Sequence, residues 1–274
     1  MRELGYVMGK DFVTEWRAGE GNYERLPVLA AELVALKVDV IVAGGSPAIR
    51  AAQKATSTVP IVMTNTGDPV GSGFAASLAR PGGNITGMSN SNDDVSAKYL
   101  ELLMALVPTL SRVAVLGNPG SSTHAAILKT LQTTAQQVKA RLVRVDARTA
   151  EEIELGFATI ARERAEALIV VPEPFLYQQS RQIAERAAKH RIPAIYGGRE
   201  AVEAGGLMAY GQNLIENWRH AATYVDKILK GAKPADLPIE QPTKFELVIN
   251  RKAFAALGLA IPQQLLLRAD EVIE

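Results

Sequence analysis

Hydroxyls, amides and carboxylates stand at the ends of short apolar runs along this chain. Val40 to Ala52 reads VIVAGGSPAIRAA, an apolar run that stops on two glycines before Ser46-Pro47 opens a helix. Ser46 is expected to cap that helix and Pro47 suits its first turn, so the free N–H groups there are ready for a small anion. The same grammar puts Thr66 and Asp68 after Ile61 to Met63, and Asn118, Ser121 and Ser122 after Arg112 to Leu116. Glu173 and Phe175 follow Ala167 to Val171, and Tyr196 leads into Gly197-Gly198-Arg199-Glu200. Asn65, Asn90, Asn92 and Tyr210 complete the set. Hydroxyls and helix ends can take a carboxylate, an acidic side chain can take an ammonium, and aromatic faces can cover a planar or apolar group. Such an inventory suits a zwitterion. Each residue also has a plainer reading: Ser46 as a cap, Asp68 before Pro69 as a turn former, Glu173 as a cap, Tyr196 as core.

Elements of one kind must hold these residues. Short apolar runs followed by polar loops and amphipathic helices mark a parallel α/β architecture, in which ligands sit at the carboxyl ends of strands. The pattern predicts strands over Asp11 to Arg17, Val38 to Ala43, Pro60 to Thr64 and Asn84 to Met88. Helices are expected over Tyr23 to Leu36, Pro47 to Thr56, Ala76 to Arg80 and Ser96 to Leu106. A second series runs from Arg112 to Tyr196, with helices around Thr123 to Ala140, Ala150 to Arg164 and Tyr177 to Arg191. Helix Leu214 to Lys230, a last strand Phe245 to Asn250 and a last helix Arg251 to Leu257 follow. Two wound series separated near residue 90 imply two similar lobes, 1–89 with 212–240 and 90–211 with 241–274.

Composition narrows the function. Thirty basic against 29 acidic residues, with no basic run, argue against a nucleic-acid partner. The chain has no cysteine, so disulfides, thiolate metal sites and a Cys nucleophile are excluded. Its three histidines are scattered, with no second ligand at helical spacing, and are expected to be exposed helix residues rather than metal ligands. Neither a phosphate loop, a nucleophile elbow nor a zinc-protease helix is present, and no cofactor is implied. No window reaches the roughly 18 apolar residues of a membrane span, and Met1-Arg2-Glu3-Leu4 does not begin a signal peptide. Trp16 and Trp218 are expected to pack.

Several blocks taken together resemble a family. Gly5-Tyr6-Val7-Met8-Gly9-Lys10, Leu29 to Ile41, Asp68 to Phe74, LARPGGNITG over Leu78 to Gly87, ILKGAKPADLP over Ile228 to Pro238, and FELVIN before Leu257-Gly258-Leu259 are similar to ABC-transporter substrate-binding proteins of the tryptophan or aromatic amino-acid type. The resemblance implies a type I periplasmic-binding-protein fold: two Rossmann-like lobes joined by three crossovers, closing over a small ligand without chemistry and delivering it to a membrane permease. Crossovers are then expected near Met88 to Asn92, Gly206 to Gly211 and Pro238 to Lys244. By the same resemblance Ser46 and Thr66 to Asp68 form the first-lobe wall, and Asn118, Ser121, Ser122, Glu173 and Tyr196 the second. Glu173 is placed against the ligand ammonium, and Phe175, Tyr196 and Tyr210 form the side-chain pocket. Placement is periplasmic or lipid-anchored on the outer side of the membrane. Family members carry an export signal, a strand and most of a helix before the Gly-Tyr-x-x-Gly-Lys block. The first strand of lobe 1 is therefore expected to be missing, the chain being a piece of a longer protein or a homodimer whose partner fills the gap. An effector-binding regulatory domain and an enzyme using Asp68 and Glu173 are the alternative classes.

Overall fold

The computed structural model describes residues 1–90, 92–121, 124–241 and 244–274, together with the backbone but not the side chains of 92–94. Ser122 and the Asn92 side chain, both candidates above, lie outside the described residues. In chain order the elements are α1 (Leu26–Ala35), β1 (Ile41–Gly44), α2 (Ser46–Ala55), β2 (Ile61–Asn65), β3 (Ile85–Gly87) and α3 (Asn92–Leu106). Then come β4 (Arg112–Gly117), α4 (His124–Gln137), β5 (Arg141–Asp146), α5 (Ala150–Arg162), β6 (Ala167–Val170), α6 (Pro174–Gln178) and α7 (Ser180–Lys189). The chain ends with β7 (Ala194–Tyr196), α8 (Arg199–Glu203), β8 (Met208–Gly211), α9 (Leu214–Leu229), β9 (Glu246–Asn250), α10 (Arg251–Leu257), α11 (Gln263–Leu266) and β10 (Glu271–Ile273).

Two compact units result, Met1–Ser91 with Leu214–Thr243 and Asn92–Asn213 with Lys244–Glu274. Unit 1 holds a three-stranded parallel sheet in the order β1-β2-β3. Ile41, Ile49, Ile61, Met63, Phe74 and Ile85 pack on one side of it, while Val62, Met88, Ala221 and Tyr224 form a cluster under α9. Burial on both faces is why these strands read as continuous apolar runs. Gly87 is required here: at φ 124 it brings its backbone so close to Met63 that a Cβ would lie 2.3 Å from the Met63 carbonyl oxygen.

Unit 2 holds a seven-stranded sheet in the order β10-β9-β8-β7-β6-β4-β5, parallel throughout except where β8 meets β9. Its core joins Leu100, Leu103, Val113, Val115, Ile169 and Ile195, all fully buried. The fold class is thus α/β with two predominantly parallel sheets, one in each unit.

Several expected elements differ. Asp11 to Arg17 alternates like a strand but has no ladder partner among the described residues beyond a Met8–Phe12 bridge, and Val13 and Trp16 are 78% and 75% exposed. Alternation alone makes no strand without a neighbour to hydrogen-bond. Ala76 to Arg80 is not helical, because the Ser77 hydroxyl accepts from the Arg80 N–H at 3.0 Å and closes a local turn instead. Tyr177 to Arg191 is two helices, α6 and α7, and the strand and helix expected to be last are followed by α11 and β10. Strand β5 was not anticipated; it is one of the two edges of the seven-stranded sheet. His124 is 3% exposed, against the expectation of a surface histidine, whereas His190 and His220 are exposed.

Candidate functional site

In unit 1 the strand ends converge. Gly45 turns the chain from β1 into α2 at φ 83, ψ 150, and it, not Ser46, is the N-cap. That conformation is open to glycine, so the helix begins one residue earlier than a serine cap would allow. The buried Ser46 hydroxyl is thereby freed and pairs with the Thr66 hydroxyl at 2.8 Å. Asn65 Oδ1, on the last residue of β2, accepts from the Gly45 N–H at 2.7 Å and steadies the turn. The Asn90 N–H donates to the Thr66 carbonyl at 2.6 Å, and the Ser89 Oγ and Asn90 Oδ1 are buried without hydrogen-bond partners. Ser46, Thr66 and Asn90 therefore come together at the carboxyl end of the sheet. Asp68 is exposed and accepts from the Gly71 N–H at 2.8 Å, the geometry of a turn former. Trp218 of α9 is 42% exposed, and its ring lies 3.3 Å from the position a Cβ would take on Gly44. Its placement at the end of β1, beside the Gly45 turn, was not legible from sequence.

Unit 2 assembles a second group. Asn118 follows β4, buried, and its Oδ1 accepts from the Gly120 N–H at 2.8 Å. Ser121 is buried in the same turn, its N–H donating to the Asn118 carbonyl at 3.0 Å. Glu173 is 3% exposed and is the N-cap of α6: its carboxylate accepts from the Phe175 N–H at 3.2 Å, from the Leu176 N–H, and from the Asn118 amide at 3.5 Å. Asn118, Ser121 and Glu173 are thus brought together. Phe175 and Tyr196 are 3% and 2% exposed. The Tyr196 hydroxyl has no hydrogen-bond partner, and burial pushes it up out of the range in which it would ionise. Tyr210 on β8 is half-buried and stacks on Phe245 at 6.0 Å.

Residues outside the sequence-derived set join this group. Burial raises Tyr177 well above its usual value, and the negative charges of Glu200 and Glu173 push the same way. Burial also raises the Glu200 carboxyl, against the lowering effects of its own backbone N–H and of Arg199. Arg199, which opens α8 after β7, is engaged with Glu203 at 3.0 Å and Glu271 at 2.9 Å. His124 lies at the back of the Asn118 turn, where burial pushes it down although Asp146 Oδ1 is 3.4 Å from its Nε2. Among the described residues no three His, Asp or Glu side chains cluster as a metal site needs. No helix among them is long and apolar enough to cross a membrane.

Comparison with known proteins fits this arrangement. The family described as ABC transporter substrate binding protein matches residues 1–273. A Clostridioides difficile protein named tyrosine-binding protein is 25% identical over 260 residues, 94% of this chain and 74% of that protein. A Vibrio cholerae conserved domain protein of known crystal structure is 26% identical with a TM-score of 0.92, covering 99% of this chain and 90% of the other. An ABC domain from Streptococcus pneumoniae, solved in complex with L-Trp, is 25% identical with a TM-score of 0.89, covering 99% and 92%. The match runs through both units, and the chain belongs to the ABC transporter substrate-binding protein family.

Proposed function

We propose that this chain is the solute-binding component of an ABC importer and that its solute is an aromatic amino acid. The observation that carries the reading is the whole-chain family match combined with two relatives, one named for tyrosine and one solved with L-Trp. The strand-end residues supply the matching chemistry. Ser46, Thr66 and Asn90 gather hydroxyls and an amide beside the start of α2, a setting for a carboxylate. Asn118, Ser121 and Glu173 gather in unit 2, with the aromatic residues Phe175, Tyr196 and Tyr210 on neighbouring elements. Asp68 stands after the β2 turn as a further polar group. In this reading the two lobes close over the ligand, selected by contacts to both. The protein works outside the cytoplasmic membrane, hands its ligand to a membrane permease, and performs no covalent chemistry.

A thermal-shift screen against the amino acids, short peptides, nucleosides and sugars tests this. A ligand that binds only the folded state at 100 times its Kd adds about 2.7 kcal/mol of stability. The expected outcome is a rise in Tm with Tyr, Trp or Phe and none with sugars or nucleosides. A rise confined to a sugar or a nucleoside would replace the amino-acid reading.

A further inference from the structure

We propose that Glu200 is the residue of unit 2 that receives the primary ammonium group of the solute, with Tyr177 alongside it; this rests on the amino-acid reading above. Glu173, the acidic residue to which the sequence points, is already occupied by the N–H groups of Phe175 and Leu176 and by the Asn118 amide. Glu200 differs. Its Oε2 is buried and has no hydrogen-bond partner. The atom lies 2.5 Å from the point a Cβ would occupy on Gly198, and Tyr177 Cε1 lies 2.8 Å from the same point, so carboxylate and ring edge fold over one glycine. On Gly197 the corresponding point is 3.1 Å from the Tyr177 hydroxyl. The glycine pair is what lets these groups approach the end of β7.

Two further features point to a ligand rather than to an internal ion pair. Arg199, adjacent in sequence, is held by Glu203, Glu246 and Glu271 at 3.0, 3.7 and 2.9 Å and forms no pair with Glu200. The Tyr196 hydroxyl, on a residue 2% exposed, is a second buried polar atom of unit 2 without a partner. Buried polar atoms without partners are uncommon because each forfeits hydration with nothing in return. A primary ammonium brings three donors and the charge that a carboxylate without an ion-pair partner favours. Glu200 therefore distinguishes an amino acid from the same molecule without its amine.

The test titrates wild-type and Glu200→Gln protein calorimetrically with L-tyrosine and with 3-(4-hydroxyphenyl)propionate, which lacks only the amine. The substitution is expected to weaken L-tyrosine by about tenfold or more and the deaminated analogue by less than about threefold. Glu200→Asp, which keeps the charge on a shorter arm, is expected to fall between wild type and Glu200→Gln for L-tyrosine alone, and stands in if the Gln variant fails to fold. Equal losses for both compounds, or no loss for either, would overturn the assignment. If wild type ignores L-tyrosine but binds another amino acid, the aromatic reading falls, and the same comparison with that amino acid and its deaminated counterpart decides the role of Glu200. If wild type binds no amino acid, both readings fall.

Discussion

Two carboxylates only 27 positions apart in unit 2 have different fates because their surroundings differ. Glu173 accepts three N–H groups and is a capping residue by geometry, whereas Glu200 keeps a buried oxygen without a donor. Burial raises the Glu200 carboxyl, Glu203 pushes the same way, and Arg199 and its own backbone N–H oppose. Tyr177, also raised by burial, faces it as a neutral phenol. The sign of the pH dependence follows. A carboxyl whose folded value is raised stabilises the unliganded protein fully below its ordinary value of 4.5, and loses that contribution as pH rises through the folded value. Binding of an ammonium runs the other way, since it requires the carboxylate. Affinity for an amino acid should therefore increase with pH from the ordinary carboxylate range upward, and the increase should vanish in Glu200→Gln; titrations across pH 4 to 8 check this. The sequence exposed Ser46, Thr66 and Asn118 because strand-end position is local information. Glu200 and Trp218 stayed hidden, because being buried without a partner, or lying over the glycine of a distant strand, is decided by tertiary packing.

Elements show the same division. The β1–α2 and β4–α4 units were legible because an apolar run, a turn residue and an amphipathic helix follow one another directly in the chain. Asp11 to Arg17 misled because strand formation needs a partner that its own residues do not supply, and Ala76 to Arg80 because a serine turn outcompetes a helix too short to repay its nucleation. The cap of α2 was placed one residue late for want of a sign that Gly45, at φ 83 and ψ 150, makes the turn. That turn is the element on which the unit 1 group depends. Gly45→Ala forces a side chain into a region essentially reserved for glycine, at a cost of about 1–3 kcal/mol. The variant should melt earlier by thermal denaturation and also lose affinity for the ligand, because the Ser46–Thr66 pair and the start of α2 move with it. Unchanged stability and affinity together would show that the turn does not set the site.

At the scale of the whole molecule, the family and the two-unit α/β plan were legible because several sequence blocks, scattered from Gly5 to Leu259, agree at once. The identity of the solute is a matter of a few side chains and was not. If residues of both units hold one ligand, Ser46→Ala in unit 1 and Glu200→Gln in unit 2 should each weaken that ligand while leaving its stoichiometry at one. The most direct measurement is a calorimetric titration of the purified protein with L-tyrosine, L-tryptophan and L-phenylalanine in turn. A saturable one-to-one isotherm with at least one of them, weakened by either substitution, is the predicted result; no binding of any of the three, alongside clear binding of a sugar or another non-amino-acid solute, would contradict it.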